Sequence, residues 1–63
     1  MNDIEVLLFL EGLAAQINAD LDLGLSGPAM RRVAQRVLDA DPESAEALHR
    51  DLGCLLLRER TLH

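Results

Sequence analysis

A chain of 63 residues with one cysteine, Cys54, has no intrachain disulfide open to it, and two histidines, His49 and His63, do not make a Cys/His set for structural zinc. No other feature narrows the choice of fold as much. A core of this size rarely supplies more than about 3–5 kcal/mol, so an unstapled small domain depends on close packing, self-association, or both. Leucine (14) and alanine (8) dominate the apolar residues, and Phe9 is the one aromatic. Both favour helices. Three Val, two Ile and one Thr are too few β-branched residues for a sheet.

Helix boundaries can be placed from capping chemistry. Asn2 followed by Glu5 three residues on is a capping arrangement, and Asp3 and Glu5 suit the positive end of a helix dipole. The spacing predicts a first helix over residues 3–19. Val6, Leu10, Leu13 and Ile17 form its apolar stripe, while Leu7, Leu8 and Phe9 widen it past half the circumference. Gly12 in its middle either weakens the helix or admits the close approach of another. Residues 20–28 break the pattern and read as a loop pinned to the core by leucines. A second helix is expected over 28–40, with Pro28 in its first turn, an apolar face of Met30, Val33, Ala34, Val37 and Leu38, and a polar face of Arg31, Arg32, Gln35 and Arg36. Asp41-Pro42 ends it. The same pair reads as the cap and first position of a third helix, over 42–60, with Ala45, Leu48, Leu52 and Leu55 as its stripe. The expected fold is all-α: a small three-helix bundle, or a helical hairpin plus an extra helix, associating with itself.

Charge is segregated. Residues 1–25 carry five acids and no arginine, whereas the remainder carries six of each, giving the net −5 of the chain. The apolar run Val6–Leu10 is too short to span a membrane and lacks the positive lead of an export signal. With a free cysteine, the expectation is a cytoplasmic protein with no membrane contact.

The stretch from Val37 to Leu48, through Asp41-Pro42, resembles the junction between two tetratricopeptide repeats. Pro42 matches that family's proline, Leu48 its first large apolar position, and Leu52-Gly53 its Leu-Gly pair, displaced by one residue. Ala34 and Asn18 depart from the pattern. The resemblance covers residues 37–53 and implies antiparallel helix pairs and protein binding, although such arrays usually need about three repeats.

No constellation points to catalysis, a cofactor or a metal site. Asp39 and Asp41 are accounted for by helix termination and capping. Asp20 and Asp22 lack the further oxygen ligands of a calcium loop. His49 stands five residues before Cys54, off the i, i+4 spacing that pairs ligands on one helix face. What stands out is apolar excess. Val6, Leu7, Leu8, Phe9, Leu10 and Leu13 on the first helix, with Leu57 and Leu62 on the third, are the candidate partner or dimer interface. Arg31, Arg32 and Arg36 are candidate polar contacts. The expected function is a non-enzymatic protein-interaction module (an adaptor, chaperone-like subunit or inhibitor) whose partner is another protein and also itself. Two alternatives follow from charge: an acidic decoy that blocks a nucleic-acid-binding protein, and a small dimeric DNA-binding regulator using the helix 2 arginines. The net negative charge and the missing aromatic platforms weigh against direct nucleic-acid binding.

Overall fold

The computed structural model describes residues 2–61, with Thr61 described in its backbone alone. The described residues form three helices, α1 (Asp3–Asp20), α2 (Gly27–Ala40) and α3 (Ala45–Thr61), and contain no strand. Asn2 caps α1 as its chemistry predicts, its side-chain oxygen accepting the Glu5 backbone N–H at 2.9 Å. Ser26 caps α2 by accepting from Ala29 N–H, with Pro28 in the first turn where no N–H is needed.

The pairing of side chains fixes the topology. Glu11 of α1 meets Arg31 of α2, and nearer the start of α1 Asp3 shares a groove with Asp39, so α1 and α2 run antiparallel. Arg32 meets Glu59, while Ala40 lies beside Asp51, so α2 and α3 are antiparallel too. The bundle therefore runs up, down and up, and measures 31 × 19 × 19 Å.

At its centre lie Leu10, Ala14, Val33, Ala34, Val37, Leu52 and Leu56, with Ala29 of α2 and the loop residues Leu23 and Leu25 completing the cluster. Alanines on facing helices let the axes approach, and leucines from α1 and α3 fill the remaining volume. Among the described residues no polar or charged side chain is buried.

The loop is built with some care. Leu23 N–H donates to Asn18 C=O at 3.0 Å and Asp22 N–H to Ala19 C=O at 3.3 Å, the paired bonds of a Schellman ending. Asp22 supplies the left-handed residue (φ 52°) that glycine usually fills. Asn18 then reaches across the turn. Its Oδ1 accepts Leu25 N–H at 3.0 Å and its Nδ2 donates to Leu25 C=O at 3.2 Å. Leu23 and Leu25 do pin the loop to the core, as the sequence predicts, whereas Leu21 is exposed.

Two expectations are corrected. Asp41 does not cap α3, and Pro42 is not its first residue. The proline disfavours right-handed helix at Asp41, which takes the left-handed conformation (φ 51°) and closes α2, its N–H donating to Leu38 C=O. The chain then turns, and α3 starts at Ala45 with Ser44 Oγ accepting Ala47 N–H at 3.1 Å. Of the two roles expected for Gly12, close approach by a helix of the bundle is absent and the weakening of α1 remains: a Cβ there meets nothing within 4 Å, and the same holds for Gly53 in α3. Gly12→Ala and Gly53→Ala should each stabilise the monomer by up to about 1 kcal/mol. In a dilute thermal melt that is a rise in Tm of roughly 4–8 °C per kcal/mol; a fall in Tm would mean that the helices need these glycines.

Candidate docking surface

α1 buries only one of its sides. Leu10 is 0% exposed and Ala14 is buried with it, while Val6, Leu7, Leu13 and Ile17 are half-buried against the same cluster. On the far side of the helix Ile4 is 69% exposed, Leu8 61% and Phe9 60%. Helical geometry places Ile4, Leu8, Gly12, Ala15 and Ala19 within an arc of about 80°. All five are exposed. The result is a stripe down the outside of the bundle, large at its N-terminal half and small at its C-terminal half. No charged residue lies on its centre line, and Phe9, Glu5 and Gln16 border it.

The predicted interface residues thus separate into three groups. Leu8, Phe9 and Leu57 are exposed. Val6, Leu7 and Leu13 are shared between core and surface, and Leu62 lies outside the described residues. Leu10 is a core residue rather than an interface residue, because it sits on the side of α1 turned towards the other two helices. Leu57, 47% exposed, lies on α3 beside Arg58 in sequence. Among the described residues Ile4 is the most exposed large apolar side chain, yet it is not among the predicted residues, and neither are Gly12, Ala15 and Ala19. Their signal is a second periodicity of four, four, three and four residues, hidden because glycine and alanine do not stand out as apolar.

Two of the three α2 arginines link helices. Arg31 Nε lies 2.7 Å from Glu11 Oε1 and Arg32 Nη2 lies 2.7 Å from Glu59 Oε1, so neighbouring residues tie α2 to each flanking helix. Both guanidinium groups remain largely in water, where such pairs contribute about 0–1 kcal/mol and chiefly set orientation. Arg36 is exposed and has no ion-pair partner among the described residues. Between α1 and α2 an open groove of about 720 Å³ runs past Leu7, Pro28 and Met30 to the Glu11–Arg31 pair.

Charge accumulates at one end of the bundle. The starts of α1 and α3 and the end of α2 meet there, bringing Asp3, Glu5, Asp39, Asp41, Glu43 and Glu46 to one pole. Among the described residues no group of three His, Cys, Asp or Glu side chains is placed to hold a metal ion, and no helix is long and apolar enough to cross a membrane. Comparison of the chain with protein-family models, with curated proteins and with solved structures finds no match.

Proposed function

We propose that this protein is a non-enzymatic interaction module that docks the outer face of α1 on another protein, acting in the cytoplasm as a small adaptor, chaperone-like subunit or inhibitor. The supporting observation is the exposed stripe headed by Ile4 and Leu8, with Phe9 at its border, on a bundle whose core is already closed without them. Three large apolar side chains in water on one helix face are the anchors of helix-in-groove recognition, and contiguous apolar surface of this kind marks association sites. The tetratricopeptide-like stretch at residues 37–53 agrees in kind, since that family binds proteins through helix pairs.

A second reading, the acidic decoy, draws on the pole of six carboxylates. The DNA-binding reading draws on Arg31, Arg32 and Arg36, but two of these are engaged with Glu11 and Glu59. Salt separates the readings. Apolar docking on α1 persists at high ionic strength, whereas binding by the acidic pole or by the arginines weakens steeply.

The test compares Ile4→Asp and Leu8→Asp with the parent chain in capture of proteins from the native cell. Both variants should keep full helical content and lose binding at least tenfold, at low and high salt alike. Undiminished capture by folded variants, or capture abolished by salt alone, would contradict the docking role.

A further inference from the structure

We infer that the surface that covers the outer stripe of α1 is the same stripe of a second copy, packed antiparallel about a two-fold axis beside Gly12. This rests on the reading of that face as a docking surface and names its occupant. The stripe is sterically complementary to itself. The stripe's spacings read almost alike in both directions, so turning a second α1 end for end brings its residues back into register. In that register Ile4 lies over the partner's Ala19 and Leu8 over the partner's Ala15. Every large side chain meets a small one, and glycine stands where the two backbones come closest. A parallel pairing would instead set Ile4 against Ile4 and Ala19 against Ala19, crowded at one end and empty at the other.

The borders of the stripe agree with this. Glu5 and Gln16 lie on the same edge, and the antiparallel register brings the carboxylate of one copy beside the amide of the other. On the opposite edge Glu11 and Arg31, already paired at 2.7 Å, fall near the axis, so each pair meets its symmetry mate as a cluster of alternating charge. Each copy carries a net charge of −5. Long-range repulsion therefore opposes the dimer and salt strengthens it, the reverse of what a decoy or a DNA-binding surface shows. The stripe is small beside typical specific interfaces, which places the dimer in the weak, reversible class.

The experiment uses sedimentation equilibrium from micromolar to millimolar concentration, together with cysteine cross-linking in a Cys54→Ser background. The mass of the parent chain should rise from 6.9 kDa towards twice that value, more readily at high salt. Gly12→Leu, whose side chain enters open space in the monomer, should keep the fold and weaken dimerisation at least tenfold. Under mild oxidation Ile4→Cys mixed with Ala19→Cys should cross-link several times faster than either variant with itself. Faster cross-linking of Ile4→Cys to itself would overturn the antiparallel register. A chain that remains at 6.9 kDa throughout would overturn the self-pairing, and the docking surface would still stand if Leu8→Asp loses a different protein.

Discussion

Leu10→Asp is expected to leave no folded protein at 25 °C, while Leu8→Asp, two residues away, leaves the bundle intact. Leu10 is fully buried among Ala14, Val33, Val37, Leu52 and Leu56. Deleting a buried leucine side chain alone costs about 2–5 kcal/mol, and an unpaired carboxylate in an apolar core adds its own desolvation penalty. A core of this size supplies only about 3–5 kcal/mol in total, so nothing remains to hold the helices. Leu8 is mostly in water, and surface changes of its kind stay within about 0.5 kcal/mol. Far-ultraviolet circular dichroism at low concentration reads the difference at once. Native helicity in Leu10→Asp would show that α1 is not packed by this side.

Asn18→Ala carries the next largest expected effect. Asn18 closes the turn between α1 and α2 through both its side-chain oxygen and its side-chain nitrogen, each bonded to the backbone of Leu25. Removing it leaves a part-buried N–H and C=O without those partners and frees the loop that seats Leu23 and Leu25 on the core. The loss should be on the order of 2 kcal/mol, a large fraction of what this domain has. Urea denaturation measures it as a fall in midpoint. Gln16→Ala, on the exposed side of the same helix, serves as the reference and should move the midpoint little. If the two variants unfold alike, the Asn18 clasp contributes nothing.

Most of the fold was legible in the sequence because its signals are local. Asn2, Ser26 and Pro28 mark helix starts by chemistry that acts within one turn, and the α2 stripe is the plain alternation of an amphipathic helix. Asp41-Pro42 misled because aspartate before proline suits either the end of one helix or the cap of the next. The backbone resolves it with a left-handed residue and an extra turn before Ser44. Which side of α1 faces inward was less legible. With Val6, Leu7, Leu8, Phe9 and Leu10 in succession every direction looks apolar, and the choice falls to where α2 and α3 lie, a tertiary fact. The interface residues therefore mixed true surface, Leu8 and Phe9, with core, Leu10, and missed Ile4. In the sequence Asn18 stands out only as a departure from a repeat pattern. Its work is done seven residues away at Leu25, beyond the reach of any local rule.

A spare apolar face lies on α1 outside a core that is complete without it. Light scattering on the parent chain and on Leu8→Asp, each followed over a concentration series, with circular dichroism of the same samples, puts that to the test most directly. The parent should gain mass with concentration while Leu8→Asp stays at 6.9 kDa with unchanged helicity. Loss of helicity in Leu8→Asp would place Leu8 in the core and leave no face to spare, contradicting the account.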